Sequence, residues 1–313
     1  MLLIVRLVTL CYYLSMKNVL LTKAYSRLGM KYIPIGGAVL NLGVEYGPDA
    51  VLNSDFVDKI NKRNKVDIIR YKFSKPEKVG QKTYYSTIAK ETNILAHKIF
   101  NKLQKKNYKY MVTVGGDHSM ALASVLAVFK FYKNKKVGLI DFDSHGDIHL
   151  VKTSPTGNFH GMWLRPLLSK FDHKEIGLIS NIRITSDNFL YIGNLLTEQE
   201  EERFIKESKI KVINSKQIVN KVKLIQNQIS RFCNKFDVIH VTFDIDVFKT
   251  SIVSATGTPN PNGFDRAMVK KCIKPIVISK KLFSLDLVEV NPKKQGSKET
   301  VRVAQKVILD LLK

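Results

Sequence analysis

Cysteine is scarce in this chain. Cys11, Cys233 and Cys272 are scattered through 313 residues, which excludes a disulfide framework and fits a reducing compartment. No apolar run reaches transmembrane length without a charge, so no membrane partner is expected. Internal repeats and low-complexity linkers are also missing, and the length suits one α/β domain with a sizeable core. Acidic residues are short: 27 against 51 lysines and arginines, a formal net charge of +24, with none before Glu45. Lysines crowd 59–65, 102–109, 133–136 and 293–298. Such clusters could bind nucleic acid or an anionic surface. No basic motif is interleaved with aromatics, so a lysine-rich solvated exterior is the preferred reading and no nucleic acid is expected.

Against this background stand three short clusters of metal-binding side chains. Gly115-Gly116-Asp117-His118-Ser119 supplies a histidine, Asp143-Ser144-His145-Gly146-Asp147 two carboxylates and an imidazole, and Asp244-Ile245-Asp246 two more carboxylates. Each follows a nearly continuous β-branched run, at 110–114, 137–142 and 238–243, as expected for parallel strands covered on both faces. Residues two apart in extended backbone point the same way, so Asp143, His145 and Asp147 converge, as do Asp244 and Asp246. Sites in open α/β sheets lie beyond the carboxyl ends of strands, where all three clusters fall. An oxygen-rich set with imidazole and no thiolate points to manganese, ahead of iron, cobalt or nickel, and excludes a structural cysteine–zinc site. Two such cations can turn water into hydroxide at neutral pH. Each cluster alone has a plainer explanation: Asp117 or Ser119 could simply cap a helix, and Asp-x-Asp is common at turns. Three together in this order do not.

Strands alternate with helical stretches at 84–103, 120–132, 215–233, 265–272 and 298–312. This predicts a single-domain, three-layer α/β/α architecture with a mainly parallel sheet. Residues 1–30 are set apart as an N-terminal extension, because Met1–Tyr13 is apolar with Arg6 inside and resembles a targeting presequence. The catalytic domain is expected to span residues 31–313.

Taken together, these motifs resemble the ureohydrolase superfamily, which includes arginase and agmatinase. The resemblance runs from about Ile33 to Lys313. It also includes Gly43-Val-Glu-Tyr-Gly-Pro48, Ser254-Ala-Thr-Gly-Thr-Pro259 and Leu285-Asp-Leu-Val-Glu-Val-Asn-Pro292. The segment Ser154-Pro-Thr-Gly-Asn-Phe-His-Gly-Met162 is similar to the arginase substrate loop rather than its agmatinase counterpart. The resemblance implies two Mn2+ per subunit. One would be held by His118, Asp143, Asp147 and Asp244, the other by His145, Asp143, Asp244 and Asp246. It implies that Glu289 and Thr258 receive the guanidinium group, that Asp147 protonates the departing amine, and that His160 exchanges protons with solvent. Thr156 and Asn158 would hold the amino-acid end of L-arginine. A trimeric or hexameric homo-oligomer is expected, in the cytoplasm or alternatively the mitochondrion.

Two departures bear on substrate. His149 stands where arginases usually carry an asparagine that contacts the α-carboxylate. After Tyr191-Ile-Gly193 the chain reads Asn194-Leu-Leu-Thr-Glu198 instead of an Arg-Asp-x-Asp stretch, and only Glu198 keeps a negative charge. Hydrolysis of L-arginine to L-ornithine and urea is the leading expectation. A related guanidino substrate such as agmatine or guanidinobutyrate is the alternative, and a catalytically idle basic binding protein comes third.

Overall fold

The computed structural model describes residues 16–31, 41–179 and 182–313. Among them, eight strands form one sheet. They are β1 (Lys17–Tyr25), β2 (Asn64–Lys72), β3 (Tyr110–Gly115), β4 (Val137–Phe142), β5 (Phe189–Ile192), β6 (Lys211–Ile213), β7 (Val238–Asp244) and β8 (Leu282–Val288). Every neighbouring pair is parallel, in the order β2-β1-β3-β8-β7-β4-β5-β6. Parallel strands need crossovers, and helices supply them. The helices of eight or more residues are α1 (Ser54–Asn61), α2 (Tyr84–Lys105), α3 (Ala121–Phe131), α4 (Gln199–Glu207), α5 (Val222–Asn234), α6 (Arg266–Ser279) and α7 (Ser297–Leu311). One apolar core joins a sheet face to α1, α5, α6 and α7; the other joins the opposite face to α2, α3 and the 159–171 segment. The expected three-layer α/β/α domain is therefore present.

The N-terminal boundary moves. Residues 17–30 belong to the domain rather than to an extension, because β1 pairs with β2 from Lys17↔Asn64 to Tyr25↔Lys72 and with β3 on its other side. Val19, Leu20 and Leu21 are fully buried. The acid-free composition conceals a central strand whose one buried cation, Lys23, reaches Asp49 at 2.8 Å. Met1–Tyr13, expected to be presequence-like, lies outside the described residues.

Helix boundaries differ from the sequence expectation in two places. The single helix expected at 215–233 is interrupted at Lys221, which sits at φ −141°, ψ 44°. The helix expected to stop at Cys272 instead continues through Pro275 to Ser279. A proline removes the N–H that would pair four residues back. The orphaned Lys271 carbonyl is taken by the Gln226 side-chain amide at 3.1 Å, so neighbouring α5 repairs the break.

If β1 is core, shaving one of its side chains must open a cavity. Leu21→Ala should lower the unfolding free energy by about 2–5 kcal/mol, read from urea denaturation; an unchanged midpoint would return residues 17–30 to the status of an appendage.

Candidate metal centre and substrate cleft

The site sits beyond the carboxyl ends of four adjacent strands, β3, β8, β7 and β4. His118 follows β3, Asp143 to Asp147 follow β4, Asp244 and Asp246 close β7, and Glu289 follows β8. The loop carrying His118 is clamped to the segment that follows β1: Asp117 Oδ2 accepts from Ser26 Oγ (2.6 Å) and Gly29 N (3.2 Å). Gly116 must be glycine there, since a Cβ would fall 1.7 Å from the Ser26 carbonyl oxygen. Asp117 is thus a scaffold residue that also accepts from Ser119 N at the start of the following turn.

His118 Nδ1 lies 3.1 Å from Asp143 Oδ2, 3.1 Å from Asp147 Oδ2 and 3.4 Å from Asp244 Oδ2. His145 Nδ1 lies 3.1 Å from Asp246 Oδ2 and 3.6 Å from Asp143 Oδ1. Two overlapping nests therefore share Asp143. On the far side of the first imidazole, His118 Nε2 is 2.9 Å from Thr242 Oγ1. When Nε2 donates to that hydroxyl, the Nδ1 lone pair faces carboxylate oxygens, and only a proton or a cation relieves the clash. His118 Nδ1 and Asp143 Oδ2 are buried without a hydrogen bond. These orphaned atoms and the hard-oxygen-plus-imidazole chemistry fit divalent cations.

The titration behaviour agrees. Burial opposes charge on His118, but its contacts with Asp143, Asp147 and Asp244 outweigh burial and raise it well above an ordinary imidazole. Burial and the Asp143 charge raise Asp147 to about 7. Burial and the charges of Asp246 and Asp143 raise Asp244 well above the usual carboxylate range. Asp143 resists its burial and is held at about 2 by His118 and His145. A cluster that retains protons this strongly is short of positive charge.

The cleft above the cluster has a volume of about 190 Å³. Every residue expected from sequence lines it except Asp143, which lies beneath against both imidazoles. Glu289 forms the inner wall: Oε1 accepts from His118 N (2.9 Å) and Oε2 from Asn41 Nδ2 (2.7 Å). Asn41 is held in turn by Asn291 Nδ2 at 2.6 Å. The 154–161 loop forms another wall, with Asn158 Oδ1 accepting from Lys31 N (2.7 Å) and Tyr85 OH donating to the Gly157 carbonyl (2.9 Å). Asn158 is therefore partly spent on holding the loop. Thr156 and Thr258 are exposed at the lip. His160 is half-buried, with Nδ1 lacking a hydrogen bond. Desolvation pushes its imidazole down to about 4, so it is neutral at pH 7 rather than poised near it. At the outer rim, His149 Nε2 lies 3.4 Å from Glu198 Oε2 and 3.6 Å from Glu201 Oε2. A larger depression of about 870 Å³ adjoins at Leu196 but is lined by no aspartate or histidine.

Several supports escape the sequence reading. Trp163 packs against His118 with ring centroids 4.8 Å apart and planes tilted by 36°, and donates from Nε1 to Asp147 Oδ2 at 3.1 Å. Buried Glu201 accepts from Ile148 N and Glu198 N. Arg165 donates to the Ile148 carbonyl and stacks on Phe204. Asp141, in β4 two residues before Asp143, is fully buried with neither oxygen hydrogen-bonded, and approaches His118 and Asp143 closely enough to join a metal set. Its position could have been read from the strand alternation that aligns it with Asp143. The others follow from packing between distant segments.

The family model described as Arginase family matches residues 33–313. The chain belongs to the arginase family. It is 28% identical over 279 residues to an arginase of Staphylococcus aureus, covering 85% of this chain and 90% of that one. It is 27% identical over 301 residues to an arginase of Bacillus subtilis, covering 93% and 98%. Its fold superposes on the crystal structure of Entamoeba histolytica arginase in complex with L-ornithine with a TM-score of 0.81 at 26% identity, covering 95% of this chain and 99% of that one. This arginase-family protein is therefore a hydrolase acting on amidino C–N bonds. The family comprises binuclear metal enzymes, and the His/Asp groups described above could hold the ions.

Two outcomes follow. Thr242→Val removes the partner of His118 Nε2 and should weaken divalent-cation affinity by roughly 10–100-fold, read by isothermal titration calorimetry. Because Asp147 is raised to about 7, its burial favours the chelated fold only in the protonated state; that contribution is full below the unfolded value and lost as pH rises through 7. Cations take the proton's place, so the gap in Tm between cation-loaded and chelated protein should widen from about pH 5 to about pH 8. A constant gap would mean that Asp147 does not exchange protons for metal.

Proposed function

We propose that this protein hydrolyses L-arginine to L-ornithine and urea with two manganese ions per subunit. The observation that carries the reading is a single cleft joining the acidic cluster, Glu289 and the 154–161 loop. His118, Asp143, Asp147 and Asp244 would hold one cation, and His145, Asp143, Asp244 and Asp246 the other. When bound, the pair would supply a water-derived nucleophile at neutral pH.

The chain's own residues do the rest. Glu289, fixed by His118 N and Asn41, presents a carboxylate to a planar guanidinium, which suits paired charge-assisted hydrogen bonds. Burial and the nearby Asp117 raise Glu289 well above its ordinary value, so an incoming cation and its ionisation favour each other. Asp147, oriented by Trp163, would pass a proton to the departing amine. Neutral His160 serves as a proton acceptor facing the cleft. Thr258, at the lip of the same cleft, would join Glu289 in receiving the guanidinium, and Thr156, Asn158, His149 and Glu198 would surround the amino-acid end. The Entamoeba arginase structure is a complex with L-ornithine, which agrees with an amino-acid substrate in this cleft. A homo-oligomer, trimeric or hexameric, in the cytoplasm or alternatively the mitochondrion, completes the proposal.

One observation favours a second reading. His149 faces Glu198 and Glu201, so the rim is acidic where an α-carboxylate would have to settle. A guanidino compound without that carboxylate, such as agmatine, would avoid the repulsion; guanidinobutyrate would not. The intact acidic cluster speaks against a catalytically idle basic binding protein, since unpaired buried carboxylates are costly to keep.

A panel of arginine, agmatine and guanidinobutyrate with manganese-loaded enzyme separates the readings. Urea should appear fastest from arginine, and His149→Asn should raise kcat/KM for arginine by about tenfold, some 1.4 kcal/mol. Faster turnover of agmatine would move the assignment to the second reading. No urea from any of the three, with manganese bound, would reject both.

A further inference from the structure

The sheet carries acids below the metal centre as well as at it. On three adjacent strands, Asp141 in β4, Thr242 in β7 and Asp286 in β8 stand side by side in register. All three are fully buried. A carboxylate this deep needs partners, because leaving one unpaired in the interior is strongly unfavourable. The two acids meet that need differently. Asp286 Oδ2 lies 2.9 Å from His240 Nε2 and accepts from Ser124 Oγ in α3, and His240 Nδ1 lies in turn 2.7 Å from Ser284 Oγ. Only its Oδ1 lacks a hydrogen bond, so packing between β7, β8 and α3 accounts for Asp286.

Asp141 has no such support. Among the described residues, neither of its oxygens receives a hydrogen bond. Its cross-strand neighbours are committed elsewhere: Thr242 Oγ1 lies 2.9 Å from His118 Nε2, and Tyr191 in β5 donates to the Gly146 carbonyl. The groups Asp141 does approach are those of the acidic cluster. Alternation along β4 puts it on the same side as Asp143, roughly 6.6 Å back down the strand. One Asp141 oxygen, one Asp143 oxygen and one His118 ring nitrogen lie within 4.8 Å of one another, close enough to face one cation. His145 is grouped instead with Asp143 and Asp246, a set in which Asp141 takes no part. The unpartnered carboxylate therefore lies under one half of the centre.

We propose that Asp141 is a further carboxylate of the metal centre, holding the cation nearest His118 and not the one nearest His145. The inference rests on the two-cation reading of the site and adds an inequality between the two positions. His118 would share its cation with Asp141, Asp143, Asp147 and Asp244, whereas His145 would share its own with Asp143, Asp244 and Asp246. The His118 position is thereby the richer in oxygen and in negative charge, which suits a hard divalent ion. The absence of hydrogen bonds to Asp141 then has a physical reason: a cation satisfies both its charge and its lone pairs. An uncharged side chain of the same shape at position 141 would leave the strand intact and weaken one cation only.

The test is calorimetric titration of chelator-stripped full-length protein with Mn2+, in the absence of substrate. Wild type should bind two ions per chain. Asp141→Asn should weaken one of them by at least about tenfold and leave the other within about threefold, without lowering the Tm of the stripped protein. Asp286→Asn is the matched comparison, a buried acid at the same level of the sheet whose hydrogen bonds come from β7 and α3. It should lower that Tm and leave both affinities within about threefold. Should the asparagine variant at 141 fail to fold, Asp141→Ser is titrated in its place. Affinities unchanged by loss of the 141 carboxylate, equal weakening of both ions, or the same loss in Asp286→Asn would each overturn the proposal and leave two-cation binding standing. Failure of the wild type to bind two ions would overturn both.

Discussion

Asp143, Asp147, Asp244 and Asp246 crowd two imidazoles in a space from which solvent is largely excluded. Like charges about 4 Å apart repel by about 4 kcal/mol even at an effective dielectric of 20. No backbone arrangement would hold them together without compensation. The fold therefore depends on protons or cations at its centre, and the parallel sheet is what makes the crowding possible. Four adjacent strands end at one level and each delivers its acidic or imidazole group to a common point. Surrounding contacts, such as Thr242 on His118 and Trp163 on Asp147, restrain groups that electrostatics would drive apart.

Much of this is legible in the sequence because the information is local. Alternation along a strand end determines which side Asp143, His145 and Asp147 occupy, and continuous β-branched runs reveal buried parallel strands. What is not legible is the pairing of distant segments. Asn41 reaches Glu289 across 248 positions of sequence, and Thr242 reaches His118 across 124; neither residue type announces such a task. Strand β1 is masked by composition. Its lysines and lack of acids make it resemble a leader, although Val-Leu-Leu lies within it. In the helix through Pro275 the carbonyl left over is met by Gln226 from a neighbouring helix, which no local rule foresees.

The substrate rim shows the same limit more instructively. Read along the chain, His149 and the 194–198 segment are two unrelated departures from arginase. In space they form one feature, since the histidine introduced on one loop meets Glu198 on another, with Glu201 behind both. Glu201 also presses on Gly146, where a Cβ would come within 2.7 Å of its carboxylate. Glu201 is thus packed directly against the 143–147 loop.

Asp147 and Glu289 share a backbone property that their chemistry hides. Both adopt left-handed conformations, at φ 52° and φ 65°, which cost an ordinary residue roughly 1–2 kcal/mol relative to glycine. Each holds its carboxylate in place against a local preference to unwind. A glycine in either loop would relieve that strain but strand buried donors, Trp163 Nε1 at the first position and His118 N and Asn41 Nδ2 at the second, so the twisted backbone is offset by the contacts its carboxylate makes.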